Sequence, residues 1–274
     1  MIEIDINPVA FSLGPFVVRW YGVMLVLAVA MVIFIALREA KRVGISEEHI
    51  YSISLWAIIG GIVGSRLFHV IDQWQYYIAH PWQIIGFEGL TVYGAVIGAV
   101  LAMLIYTWIN KFSFWQIGDI VAPGAIVGQA IGRVGCLING CCYGLVCDLP
   151  WSIVYGNPSS YARVGIPVHP TQIYHIIWNL AGFAVLWLLR KRLKPEGSVF
   201  LLWLSLYAAG DLTIRLFREG EPFLFGMQQA QLIGVAILVV AVPLLAVRMW
   251  RARSRTLVTE PHGEVSQTEQ SRGD

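Results

Sequence analysis

Along most of this chain hydrophobic residues neither alternate with polar ones nor mark a single helical stripe. They run on for the length of a whole helix, at about 20–37, 51–70, 90–109, 117–134, 171–189, 198–215 and 228–247. Each run is close to the roughly 20 residues an α-helix needs to cross about 30 Å of hydrocarbon. In lipid only helices and closed barrels satisfy every backbone polar group, and runs of this length fit the helix. The pattern predicts an all-α integral membrane protein of about seven transmembrane helices.

Small residues recur four apart in three of these runs: Gly60 and Gly64, Gly94 and Gly98, and Gly124, Gly128 and Gly132. Such ridges let helix backbones approach closely, so these three spans are expected to form the central bundle. Two connecting segments are long enough to be more than turns. The segment 71–89 holds Trp74, Tyr76, Tyr77, Trp82 and Phe87, rings that suit a membrane interface. The segment 135–170 holds all four cysteines, Pro150, Pro158 and Pro167 and the alternating run Trp151 to Tyr155, and it predicts a small extracytoplasmic cap with a hairpin or arm. The organisation expected is a single membrane domain over 1–250, followed by a basic and polar tail, 251–274, solvated and without an apolar period.

Composition agrees with this picture, with 57% of residues hydrophobic and 13% charged. Charge placement adds an orientation. Arg38, Lys41 and Arg42, then Lys111, then Arg190 to Lys194, then Arg248 to Arg255 fall at alternate span ends. Those ends are expected in the cytoplasm, which puts the N-terminus outside and the C-terminus inside. Glu3 and Asp5 stand where a cleaved signal would be basic, so the first span is expected to be retained.

A few ionisable groups sit where so apolar a chain should exclude them. Arg133 ends the glycine-notched fourth run, directly before the cysteine cluster. An unpaired charge at membrane depth costs about 2.5–3.5 kcal/mol on insertion scales, so a guanidinium there implies an anionic partner. Asp211, Arg215 and Arg218 share one face of the sixth run, with Asp211 and Arg215 spaced to pair and Arg218 left over. Arg66 adds a cation at the same depth, and the guanidinium fork matches phosphate oxygens. Together they predict a pocket for an amphiphile with an anionic head. Tyr21, Tyr93 and Asn139 are candidate polar contacts, and His169, before the fifth run, is a candidate base or an orienter of its loop.

Cys136, Cys141, Cys142 and Cys147 fall within twelve residues on the side expected to be oxidising. They are read as cap disulfides or as a reactive thiol. The spacing C-x4-C-C-x4-C lacks the CxxC of a zinc knuckle, so no metal is expected, nor any cofactor. A net charge of +2 gives no reason to expect a nucleic acid.

Read together, several motifs resemble the prolipoprotein diacylglyceryl transferase family. They are Arg19-Trp20-Tyr21-Gly22, Gly64-Ser65-Arg66-Leu67, Glu88 to Gly94, Gly132-Arg133-Val134-Gly135 with Asn139-Gly140, Pro150-Trp151, and His169-Pro170-Thr171-Gln172-Ile173-Tyr174. The resemblance implies seven membrane helices and phosphatidylglycerol as lipid donor. It implies transfer of the diacylglyceryl group to the lipobox cysteine of a prolipoprotein signal peptide, with release of glycerol phosphate. Arg133, Tyr93 and His169 would then be catalytic, and Tyr21, Arg66, Asn139, Asp211, Arg215 and Arg218 would bind substrate. The chain departs from the family where Tyr93 replaces a histidine, Cys136 and Cys141 replace asparagine and glutamate, and Asp211 and Arg215 exchange the usual charges. Two other readings are a divergent paralogue that binds or moves anionic phospholipid, and an extracytoplasmic thiol enzyme centred on Cys136 and Cys141.

Overall fold

The computed structural model describes residues 1–14, 16–85, 91–218, 220 and 223–258. Glu88 to Leu90 and the tail beyond 258 lie outside the described residues. Seven long helices match the seven hydrophobic runs: α1 (Trp20–Val43), α2 (Glu47–Asp72), α4 (Val92–Ile109), α5 (Phe114–Asn139), α6 (Thr171–Leu189), α7 (Ser198–Arg215) and α8 (Gln229–Val258), with a short α3 (Trp74–Ala79) after α2. Six are long and apolar enough to cross a membrane. The remaining one, α7, has the length and carries Asp211 and Arg215.

Several helices outrun their apolar stretches, because caps rather than hydrophobicity end them. Gly44, at φ 79°, closes α1 with its N–H on the Ala40 carbonyl, as a left-handed glycine at a helix end does. Ser113 caps α5 by accepting the Gln116 N–H. Helix α5 continues to Asn139, so Arg133 lies well inside a helix and not at its end.

The glycine ridges set two distinct helix pairs. α2 and α4 meet backbone to backbone: a Cβ on Gly98 would stand 2.1 Å from the Gly60 carbonyl oxygen, and one on Gly64 2.5 Å from that of Gly94. The α5 ridge packs instead on α1, with Gly124 against Val32, and Gly128 against Val32 and Ala28. The three ridges therefore do not converge on one another, and the centre is α5, which contacts α1, α4, α6 and α7. Half of its apolar window is buried, against 11–28% for the other candidate spans.

Three short strands precede α1, which the long apolar runs do not foretell. β1 (Ile2–Ile4) pairs in parallel with β4 (Ile153–Tyr155) of the cap, joining the N-terminus to it. β2 (Val9–Leu13) and β3 (Phe16–Arg19) form an antiparallel arm that leaves Phe11, Leu13, Phe16 and Val17 exposed. Beneath these strands, Ile153, Tyr155, Ala162 and Val168 form a buried cluster of their own.

Candidate functional site

Where α5 enters the cap, its end is a Schellman turn. Gly140, at φ 71°, gives its N–H to the Leu137 carbonyl, and Cys141 gives its N–H to the Cys136 carbonyl at 3.1 Å. This bond pattern brings the residue after the glycine back over the one five positions earlier. A Cβ at Gly140 would also strike Ser160. Cys142 follows with φ 63°, unusual for a residue with a side chain. The start of α6 clamps this turn: Thr171 Oγ1 donates to the Cys142 carbonyl and Gln172 Nε2 to the Cys141 carbonyl, both at 2.7 Å. Tyr155, buried in the cap, accepts a second bond from Gln172 and donates to the Leu137 carbonyl at 3.1 Å. The motif from His169 to Tyr174 thus holds the end of α5.

The outcome is three sulfurs, those of Cys136, Cys141 and Cys142, within 4.8 Å of one another. All four cysteines are unbridged. Cys147 stands apart, its N–H on the Pro167 carbonyl. The cysteines therefore do not tie distant parts of the cap together; three gather at one turn.

Beside this turn lie the cations. Arg215 Nε pairs with Asp211 Oδ2 at 2.5 Å, and its Nη1 donates to Gln228 Oε1 at 3.3 Å. Arg218 Nε is buried with no hydrogen-bond acceptor among the described residues. Arg133 is half-buried and has no hydrogen bond or ion pair among the described residues. His175, 3% exposed on α6, has Arg133, Arg218, Arg215 and Cys142 within electrostatic reach. Its Nε2 stands 3.8 Å from Asp211 Oδ1, too far for a hydrogen bond, and both atoms lack a partner among the described residues. Outside the membrane spans, hydrogen bonds from the Cys136 and Cys141 thiols, reinforced by Arg218 and Arg133, draw the Cys142 thiol below its ordinary range.

The other sequence candidates divide. Tyr21 has Arg133 and the three clustered cysteines within electrostatic reach, and packs on Gly135, where a Cβ would come within 3.3 Å of it. Tyr93, largely exposed at the start of α4, reaches the cluster through Tyr207, which has Asp211, Arg133 and Arg215 near it as well. Asn139 accepts from Arg19 Nη1 at 3.3 Å, and its own amide reaches Cys141 Sγ at 3.8 Å. Two residues have other neighbours. Arg66 bonds the carbonyls of Gln83 and Ile84 and lies over the Tyr77 ring. His169 meets Tyr174 Oη at 3.3 Å and the Phe217 ring, at the mouth of α6. Sequence reasoning passed over His175, Tyr207 and Gln228. The signal for His175 is periodic: Gln172, His175 and Asn179 put three buried polar residues on one face of an otherwise apolar helix.

The comparisons with known proteins agree in direction. The family model described as prolipoprotein diacylglyceryl transferase matches residues 8–247. A phosphatidylglycerol–prolipoprotein diacylglyceryl transferase of Dehalococcoides mccartyi (strain ATCC BAA-2266 / KCTC 15142 / 195) is 44% identical over 249 residues, covering 90% of this chain and 96% of the relative. Proteins of the same name from Clostridioides difficile (strain 630) and Limosilactobacillus reuteri (strain DSM 20016) are 37% and 34% identical, covering 83% and 90% of this chain and 89% and 93% of the relatives.

Proposed function

The chain belongs to the prolipoprotein diacylglyceryl transferase family, and from that membership we propose how its cap-end cluster transfers a diacylglyceryl group from phosphatidylglycerol to the cysteine thiol of a prolipoprotein. The lipid's phosphate lies between Arg133 and Arg218. The observation that carries this reading is Arg133 itself, a half-buried guanidinium with no counter-ion among the described residues, next to a buried Arg218 Nε with no acceptor. A phosphate satisfies both at once through charge-assisted hydrogen bonds. Arg215 is already held by Asp211 and keeps the face of α7 rigid.

In the reaction the acceptor sulfur forms a bond to the terminal glyceryl carbon of the diacylglycerol, and the bond from that carbon to the phosphate oxygen breaks. The electron pair leaves on glycerol phosphate, whose growing charge Arg133 and Arg218 stabilise. The acceptor thiol gives its proton to water at the cap end, and the nearby Arg133 and Arg218 favour the thiolate that results. Tyr21 and Tyr93 border the cluster and contact the lipid's polar region, with Asn139 fixed by Arg19 at its edge. His169, against Tyr174 and Phe217, acts by positioning the α6 mouth over the substrates, and Arg66 orders the adjoining segment of α3. Lipid enters from the bilayer, so alignment of thiol, carbon and phosphate supplies much of the remaining rate.

The cap end faces the exterior, and the acceptor is the lipobox cysteine of a signal peptide. This orientation rests on the basic residues that gather at the opposite end of the bundle, Arg42, Arg190 and Arg248 among them. The test incubates purified protein with phosphatidylglycerol and a lipobox peptide. Expected are a peptide mass gain of one diacylglyceryl group and an equal release of glycerol phosphate, with no change when serine replaces the peptide's cysteine. Lipid that binds without any mass gain would overturn transfer and favour a lipid-binding role.

A further inference from the structure

Nothing in the proposed reaction uses the three gathered thiols, yet their geometry is specific. Their sulfurs lie within 4.8 Å of one another, and three thiolates on one zinc ion at about 2.3 Å stand roughly 3.8–4.0 Å apart. Only a small inward rotation of side chains separates the two arrangements. The backbone is already formed for it, since the Schellman turn folds Cys141 back over Cys136 and the left-handed Cys142 completes the third side. Two bonds from α6 fix the carbonyls of Cys141 and Cys142 and so the turn that carries the sulfurs. The Asn139 amide reaches Cys141 Sγ, the kind of outer contact that orients a thiolate ligand.

We propose that Cys136, Cys141 and Cys142 hold one Zn²⁺ through their thiolates, with the fourth position open to the acceptor thiol. The second half of this proposal rests on the transfer reading above; the first does not. Three protein ligands with one open position are the pattern of a reactive zinc, whereas a structural zinc is closed by four. Cys141 and Cys142 are only half-buried, which leaves the ion a side for substrate. Charge supports the assignment too. Three thiolates and Zn²⁺ carry one negative charge and a fourth thiolate makes two. Arg133 and Arg218 are both within electrostatic reach of Cys142.

The chemistry suits the reaction, because a thiol that coordinates zinc is deprotonated outright. The acceptor thiol displaces water from the fourth position, forms a zinc–sulfur bond and gives its proton to solvent water. When that sulfur attacks the glyceryl carbon, the carbon–oxygen bond to phosphate breaks with its electron pair on the glycerol phosphate oxygen. The sulfur is then a thioether, a poor ligand, and leaves the ion.

The experiment loads the full-length chain, purified in detergent under reductant, with Zn²⁺ alone or Co²⁺ alone, and measures metal content and absorption. Expected is about one ion per chain, with sulfur-to-cobalt charge-transfer bands in the Co²⁺ form. Both should be lost in Cys141→Ser and in Cys142→Ser and kept in Cys147→Ser. A cysteine lipobox peptide should then shift the cobalt bands, while its serine counterpart leaves them unchanged. No uptake by the reduced chain, uptake of Cu⁺ in place of Zn²⁺ and Co²⁺, retention in the double Cys141→Ser, Cys142→Ser variant, or a disulfide among the three cysteines in freshly extracted protein would each overturn the site. A cobalt spectrum indifferent to the cysteine peptide would overturn the fourth-ligand role. Metal content is read without lipid or peptide, so failure here is separable from failure of diacylglyceryl transfer.

Discussion

The two ends of the helix bundle use the same residue types to opposite effect. At the end away from the cap, Glu39 is 2% exposed and both its oxygens are taken, one by Arg42 Nε and one by Arg190 Nε, each at 2.8 Å. Asp119 is likewise saturated, its two oxygens accepting the N–H groups of Gly197 and Phe200 at 2.7 and 2.8 Å. At the cap end, among the described residues, Asp211 has one oxygen bonded and one unpartnered, and His175 Nε2 and Arg218 Nε are buried without a bond. A buried polar group left unsatisfied costs roughly 1–3 kcal/mol. Several together are what a site built for a ligand looks like, whereas saturated charges are scaffold.

Volume alone would mislead. A cavity of about 320 Å³ lies at the saturated end, lined by Arg42, Asp119, Arg190, Lys194 and Glu196 among others. Its half-buried carboxylate, Asp119, already has a partner on each oxygen, so the cavity offers shape without unmet demand. The cap end has the demand. On the proposed function a substrate would arrive there from the bilayer, and no enclosed chamber is required.

The sharpest break of this contrast is Arg133→Ala. Loss of a donor aimed at developing charge lowers turnover by roughly 10²–10³-fold, so diacylglyceryl transfer should fall that far while the melting temperature in detergent holds. An active Arg133→Ala enzyme would remove the distinction between the ends. Glu39→Ala is the mirror experiment. Breaking a fully buried pair costs about 3–5 kcal/mol; because the Arg42 side chain is 35% exposed, about 2 kcal/mol is expected here. Thermal unfolding should show it, with transfer per folded molecule unchanged. A rate defect in that variant would mean that the saturated end also takes part in function.

Arg218→Ala refines the picture within the cap end. One of two cations facing a phosphate is lost, and a decrease of about tenfold, roughly 1.4 kcal/mol, should appear in kcat/KM for phosphatidylglycerol at unchanged stability. The smallest effect is expected from Tyr155→Phe. It removes the hydroxyl that joins Gln172 to the Leu137 carbonyl, a cost of about 1 kcal/mol. Alkylation of Cys141 should quicken as the turn loosens, and an unchanged rate would show that Thr171 and Gln172 hold it unaided.

How much of this was legible beforehand differs between fold and site. Seven apolar runs became seven helices because the cost of exposing backbone polar groups to lipid leaves a long apolar segment no other choice. The pairing of Asp211 with Arg215 follows from their i, i+4 spacing on one helix. By contrast, the partners of the glycine ridges were not legible. Ridge spacing shows that a backbone can come close but not whose, and α5 packed on α1 while α2 and α4 took each other. Arg66 and Arg133 look alike in sequence, each a lone arginine after a glycine notch. Only the fold gave Arg66 the loop carbonyls of 83 and 84 and left Arg133 without a counter-ion among the described residues.

By itself the sequence determined a membrane protein, its helices and the presence of guanidinium groups at the cap end, since these depend on local chemistry against a known solvent. Tertiary structure alone decided which charges are satisfied. It also brought His175 beside Asp211 and set three cysteines around one point. Such facts depend on distances between segments far apart in the chain, and those distances are fixed by packing and by the turn after α5, which no single stretch of sequence encodes.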